Sequence, residues 1–298
     1  MGIRKDIWKV FLIKKSLEKI VKSGYLPSEC IDITGDLNFY TFLADPFGIV
    51  KGKFLYVFAE YYDYRSRKGI IECFIFDENI KLIRRVNALS EAWHLSYPYV
   101  FEHEGKYFLL PESSKNNKLT LYEAEIFPDQ WKKICDIDLG EDVAVDATPF
   151  FHNGIWWLFY MLATKKPDRK HELHVAYAYS LTGKWTRHRA NPIKKGPSFS
   201  RPGGTPIAFP DGSIILPVQD CESTYGGGIR PLIFDILTPE HVRCEVAPAL
   251  KIPLSLAPYT EGVHTLSSIG NMTLIDAKKT DLSLKGISIQ IIREIKNL

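Results

Sequence analysis

The feature that most constrains this chain is repetition. Five times an apolar run is followed by a short polar turn containing glycine and then by a second apolar or aromatic run. The first unit is Asp45-Pro46-Phe47-Gly48-Ile49-Val50-Lys51-Gly52 leading into Phe54-Leu55-Tyr56-Val57-Phe58. The second is Tyr97-Pro98-Tyr99-Val100-Phe101 with Gly105, leading into Tyr107-Phe108-Leu109-Leu110. The third is Asp146-Ala147-Thr148-Pro149-Phe150-Phe151 with Gly154, leading into Trp156-Trp157-Leu158-Phe159. The fourth runs from Gly204 through Gly212 to Ile214-Ile215-Leu216, and a weaker fifth from His264 through Gly270 to Leu274-Ile275. The turn glycines at 52, 105, 154, 212 and 270 are spaced by 53, 49, 58 and 58 residues. Lys-Gly, Glu-Gly, Asn-Gly and Asp-Gly between apolar runs mark hairpins, because glycine supplies the positive φ that a tight turn needs. A period near fifty with two strands per unit, and room for two more, predicts an all-β, five-bladed propeller. Further strands are expected at Ile70–Phe76, Lys118–Ala124 and Leu173–Tyr179.

Residues 1–298 read as one propeller domain, with blades over 41–298 and a closing strand and helix over 1–40. A strand near Trp8 to Ile13 is expected to pair with the last blade and hide two sheet edges. The segment Arg4 to Lys22 holds seven basic and two acidic residues among apolar ones. It reads mainly as a strand and helix packed on the domain, with peripheral membrane contact as the alternative. Met1-Gly2 opens like a myristoylation signal but lacks Ser or Thr at position six, and no secretory leader or membrane span is evident. The five cysteines are scattered and odd in number, without a CxxC pair. They suggest neither a disulfide framework nor a zinc site, and reduced thiols in a cytoplasmic protein are expected. A net charge of +3 and the lack of a basic block interleaved with aromatics argue against nucleic acid as a partner.

In a propeller the first strand of each blade lines the axis, so the residues opening the repeats share one rim: Asp45, Tyr97, Asp146, Gly204 and His264. A hairpin's second strand returns to the same level. That brings Glu60, Glu112 and Asp220 back to this face. Gathered carboxylates repel, so one holds its proton while another stays ionised, the division of labour that glycosyl transfer or hydrolysis needs. Aromatics at 13% of the chain suit both strand packing and stacking on sugar faces. His94 lies before a rim residue, Arg201 can pair bidentately with a phosphate or carboxylate, and Tyr225-Gly226-Gly227-Gly228 forms a glycine loop near Asp220. No P-loop, dinucleotide fingerprint, HExxH, GxSxG or metal-ligand cluster is present, and no cofactor is expected.

Together Ala44-Asp45-Pro46-Phe47, Tyr56-Val57-Phe58-Ala59-Glu60, His94-Leu95-Ser96-Tyr97-Pro98, Pro111-Glu112-Ser113, Val145-Asp146-Ala147-Thr148, Arg201-Pro202-Gly203-Gly204, Gln219-Asp220-Cys221 and His264-Thr265-Leu266 carry a resemblance. They resemble the propeller at the N-terminus of plant glucosamine inositolphosphorylceramide transferases and its bacterial stand-alone relatives. In the plant proteins the recognised glycosyltransferase is a separate C-terminal domain, which these residues do not include. The bacterial kinship implies surface-polysaccharide or glycolipid assembly. More distantly the blades resemble the arabinanase, β-xylosidase, invertase and levansucrase group, which uses an Asp opening blade one as base or nucleophile, a later Asp as modulator and a Glu as acid. That resemblance implies Asp45 as base or nucleophile and Asp146 as modulator. The acid's place holds Gln219-Asp220-Cys221-Glu222, so Asp220 substitutes, Glu222 reaches in, or the acid is missing. A missing acid favours an activated sugar with a phosphate leaving group over hydrolysis. Substrate contacts are then expected from Glu60, His94, Tyr97, Glu112, Arg201, Glu222, Tyr225 and His264. The expected partner is a sugar, glycan or nucleotide-sugar. The two readings are a carbohydrate-active enzyme and a non-catalytic propeller that presents a glycan to a separate transferase.

Overall fold

The computed structural model describes residues 5–140, 143–163 and 171–295. The chain begins with β1 (Lys5–Ile13), α1 (Leu17–Ser23) and the short β2 (Ile31–Asp32). Blade one follows as β3 (Thr41–Lys51), β4 (Phe54–Asp63), β5 (Lys68–Phe76) and β6 (Leu82–Leu89). Blade two is β7 (Ser96–His103), β8 (Lys106–Glu112), β9 (Thr120–Ile126) and β10 (Gln130–Asp136). Blade three holds β11 (Ala144–His152), β12 (Ile155–Leu162), β13 (Glu172–Ala178), β14 (Thr186–Arg187) and β15 (Lys194–Lys195). In blade four the inner edge is split into β16 (Arg201–Pro202) and β17 (Ile207–Ala208), followed by β18 (Ile214–Asp220), β19 (Gly228–Leu237) and β20 (Val242–Val246). Blade five is β21 (Leu266–Ile269) and β22 (Met272–Asp281), followed by α2 (Leu284–Ile295).

These strands form five antiparallel sheets arranged as a five-bladed propeller, as the repeat predicts. The ring closes where the sequence places the closure. β1 pairs along its whole length with β22, from Lys5 opposite Asp281 to Ile13 opposite Thr273, so the last sheet has the order β2-β1-β22-β21. The first strand of the chain is thus the third strand of the last blade.

Each blade is sandwiched between two neighbours, so both faces of its inner strands are apolar, and the strands read as continuous hydrophobic runs rather than alternating ones. The core accordingly divides into clusters between blades. Phe47, Phe58 and Ile71 of blade one meet Leu95, Tyr97 and Leu109 of blade two. Leu110 and Leu121 of blade two meet Trp156 and Leu158 of blade three. Trp157 and Phe159 meet Leu216 and Phe234 of blade four. At the seam between the last and first blades, Val10, Leu12 and Leu274 pack on Val57 and Phe74. The basic N-terminal segment packs on the domain as a strand and a helix, with Trp8, Val10, Phe11, Leu17 and Ile20 buried in the protein. Among the described residues no helix is long and apolar enough to cross a membrane.

Candidate functional site

One irregularity recurs at the inner end of three blades. The pairing slips between Ala44 and Phe47, between Ser96 and Tyr99, and between Val145 and Thr148. At each slip one residue adopts left-handed backbone: Asp45 at φ 51°, Tyr97 at 45° and Asp146 at 49°. Such bulges bend a strand and re-aim a side chain, and the strained residue costs about 1–3 kcal/mol, which the surrounding sheet must hold in place. All three residues are among those the repeat alignment puts on the rim. Blade four has Gly204 at the corresponding place; a Cβ there would lie 1.9 Å from the Leu266 carbonyl oxygen, so blades four and five touch through bare backbone.

Asp45 is at the centre of a buried network. Its Oδ2 accepts from the Tyr97 N–H at 3.1 Å and its Oδ1 from the Thr265 hydroxyl at 3.2 Å. Its own N–H donates to Asp276 Oδ2 at 2.8 Å. Asp276 Oδ1 accepts from the N–H groups of His264 and Thr265, at 3.0 and 2.9 Å. His264 lies between the two acids, Nδ1 at 2.6 Å from Asp276 and Nε2 at 3.5 Å from Asp45. Burial pulls its pKa down, but Asp276 and Asp45 outweigh burial and the imidazole ends above its ordinary value. Burial pushes the Asp45 carboxyl up to about 6, against the pull of His264. Ligand atoms of Asp45, His264 and Asp276 lie within 4.8 Å of one another, the metal-type grouping that the sequence reading did not expect. The Asp276 oxygens, however, already accept three backbone N–H groups, so this trio fits a closed charge chain better than a metal cradle.

The second network joins blades three, four and two. Arg201 grips Asp146 with Nε on Oδ2 and with Nη2 on Oδ1, the latter at 3.2 Å, and Nη2 lies 3.8 Å from Glu112 Oε2. Gln219 Nε2 also donates to Asp146 Oδ2, at 3.0 Å. Burial raises Asp146 to about 7, Arg201 pulling the other way and Glu112 adding to the rise. Glu112 accepts from the Ser114 hydroxyl through Oε1 at 2.9 Å, while its buried Oε2 has no hydrogen bond. Glu60 is raised well above the usual range, first by burial and then by Asp45 and Glu112. Its Oε1 is 3.7 Å from His94 Nε2, and His94 Nδ1 accepts the Gly69 N–H at 2.8 Å.

Above these networks lies a pocket of about 330 Å³. Its charged lining is Asp6, Asp45, Glu60 and Glu112 against Arg201, with His94 and His264. Its walls are aromatic: Trp8, Phe42, Tyr62, Tyr64 and Tyr225. Trp8 stacks on His264 at 3.8 Å between centroids and 11° between planes, and Tyr225 stands edge-on to both rings. A larger opening of about 800 Å³ beside Glu172, His174 and Trp185 lies in blade three alone and gathers none of the repeat-related residues.

Of the residues singled out from sequence, Asp45, Glu60, His94, Glu112, Arg201, Tyr225 and His264 share this pocket, and Asp146 lies directly behind Arg201. Three do not join them. Tyr97 is fully buried, its hydroxyl 2.9 Å from Thr148 Oγ1 and accepting the Gly204 N–H at 3.0 Å, so it crosses under the pocket as a floor rather than meeting a substrate. Asp220 is paired with Arg230 at 2.8 Å, and Glu222 accepts from the Ser198 hydroxyl. Neither lines the pocket. The reason is strand alternation: Gln219 points inward to Asp146, so its neighbour Asp220 points the other way. The blade-four side chain that faces the second network is therefore an amide, Gln219. Asp276, Trp8 and Asp6 went unrecognised. Asp276 was detectable, because it follows the turn glycine of its unit, Gly270, at about the distance at which Glu60 follows Gly52 and Glu112 follows Gly105. Trp8 and Asp6 reach the site only through ring closure.

Fold and site together define a five-bladed propeller built around an acidic, aromatic-walled axial pocket. The chain belongs to the family described as glucosamine inositolphosphorylceramide transferase 1, N-terminal, whose model matches residues 28–263. It is 35% identical over 209 residues to glucosamine inositolphosphorylceramide transferase 1 of Oryza sativa subsp. indica, covering 68% of this chain and 27% of that protein. It is 34% identical over 232 residues to the protein of the same name from Arabidopsis thaliana, covering 76% and 29%. The match thus spans less than a third of the length of these relatives. Among solved structures, a family 117 glycoside hydrolase from Zobellia galactanivorans superposes with a TM-score of 0.57 at 14% identity, covering 96% of this chain and 93% of that one. An α-L-arabinofuranosidase from Podospora anserina gives 0.56 at 12% identity, covering 80% and 90%. At such identities the likeness is one of fold.

Proposed function

We propose that the axial pocket holds one glycosyl residue and that the chain serves glycan transfer by binding and orienting that sugar. The observation that carries this reading is the pocket's composition: aromatic rings for the sugar's C–H faces beside carboxylates for its hydroxyls. The carboxylates outnumber the cations. Arg201 is engaged by Asp146 and Glu112, and His264 by Asp276 and Asp45, so a diphosphate meets repulsion here while an amine-bearing sugar is favoured. The relatives' name, which contains glucosamine, supports the same choice. Gln219, an amide where blade four faces the second network, favours binding over hydrolysis.

A second reading, catalysis within the pocket, is favoured by Glu60. A carboxyl whose burial favours its protonated form, beside a second carboxyl hydrogen-bonded by the Tyr97 N–H and the Thr265 hydroxyl, has the form of an acid and base pair. The test is calorimetric titration with glucosamine, N-acetylglucosamine and glucose, alongside turnover on a panel of glycosides and nucleotide-sugars. Glucosamine binding that weakens in Glu112→Gln, without turnover, is the expected result. Absence of binding to all three sugars overturns the proposal, and turnover abolished by Asp45→Asn establishes the second reading instead.

A further inference from the structure

The glycine loop after Asp220 reads in sequence as flexible, yet it is pinned. Lys278, on β22, is completely buried. Its ammonium donates to the carbonyl oxygen of Tyr225 and, at 3.1 Å, to the hydroxyl of Thr224. It stands 3.4 Å from Asp6 Oδ2 and 5.3 Å from the centre of the Trp8 ring. A buried lysine is costly unless its hydrogen bonds are made. Two of those described here go to the backbone and side chain of the loop that carries Tyr225. The loop fits closely as well. A Cβ on Gly226 would lie 2.8 Å from both Trp8 and His264, and one on Gly262, opposite Lys278 across the strand, would lie 2.1 Å from the Gly226 carbonyl oxygen.

We infer that Lys278 is a positioning residue: its buried ammonium latches the Tyr225 loop to the closing strand and so sets the Tyr225 ring as a wall of the axial pocket. Without the latch, Tyr225, whose ring is half-exposed and lies 5.1 Å from the Arg201 guanidinium, has glycines on its C-terminal side to swing on. The consequence for affinity rests on the reading that a sugar binds in this pocket; the latch itself does not.

The test combines Lys278→Met, which keeps most of the side-chain volume and loses the charge, with Tyr225→Ala and the double variant. Amide hydrogen exchange in the sugar-free protein is expected to quicken at least tenfold over residues 224–228 in Lys278→Met, with the strands of blade five still protected. Glucosamine affinity is expected to fall about tenfold in Lys278→Met and in Tyr225→Ala, and no further in the double variant. If Lys278→Met does not fold, Thr224→Val, which removes the hydroxyl that accepts from the Lys278 ammonium and leaves the closing strand untouched, is expected to quicken the same amides. Unchanged loop exchange, or a Lys278→Met loss of equal size in the Tyr225→Ala background, overturns the latch. Quickened exchange in a protein that binds no glucosamine supports the latch and overturns the pocket's reading alone.

Discussion

Arg201→Met tests the polar wall of the site most sharply. The guanidinium is 3.2 Å from Asp146 Oδ1 and 3.8 Å from Glu112 Oε2, with about a fifth of its side chain open to the pocket. At an effective dielectric of about 20 these distances correspond to attractions of about 5 and about 4 kcal/mol, much of which offsets desolvation. Removing one partner of such a buried pair typically costs about 3–5 kcal/mol, because the orphaned charge stays in place. Here the charge can neutralise itself. Burial already holds Asp146 near 7 with Arg201 present, and losing Arg201 pushes it higher. A carboxyl whose folded pKa is raised contributes stability below its unfolded value and loses it as pH rises through the folded one. The variant is therefore expected to be destabilised relative to wild type by about 3–5 kcal/mol at pH 8 and by much less at pH 5. Urea unfolding at both pH values measures this, and Arg201→Met with Asp146→Asn should recover most of the loss at pH 8. An equal loss at both pH values, or a double variant whose losses simply add, would refute the reasoning.

Glu60→Gln is expected to flatten the pH dependence of stability. The wild type loses stability as pH rises through the raised Glu60 pKa and the amide does not, so the variant gains on the wild type from pH 5 to pH 8 in the same unfolding assay. Gly204→Ala places a Cβ 1.9 Å from the Leu266 carbonyl oxygen at φ 147° and should cost about 3 kcal/mol or more, read as a lowered Tm. Trp8→Ala removes a buried ring stacked on His264, and a loss of about 3–5 kcal/mol is expected by thermal unfolding.

The wheel was legible because a repeat turns chain position into spatial position. Once five units are counted, the placing of Asp45, Asp146, Glu60 and Glu112 around one axis follows from hairpin geometry. The errors come from what the repeat does not encode. Which of two adjacent residues faces the axis depends on register, and a one-residue shift exchanges faces; this separates Gln219 from Asp220. Depth along the axis is likewise absent from the pattern, so Tyr97 opens a repeat as Asp45 does yet forms the floor. Trp8 and Asp6 belong to no repeat, because their strand joins blade five from the other end of the chain.

The central claim is that the axial pocket binds the sugar, and the tryptophan indole N–H signals test it most directly. Trp8 lines this pocket, while Trp185 lines the larger opening in blade three. On titration of the ¹⁵N-labelled protein with glucosamine, the Trp8 indole resonance is expected to shift saturably while that of Trp185 stays fixed. A shift confined to Trp185, with Trp8 unmoved, would place the ligand elsewhere and contradict the account.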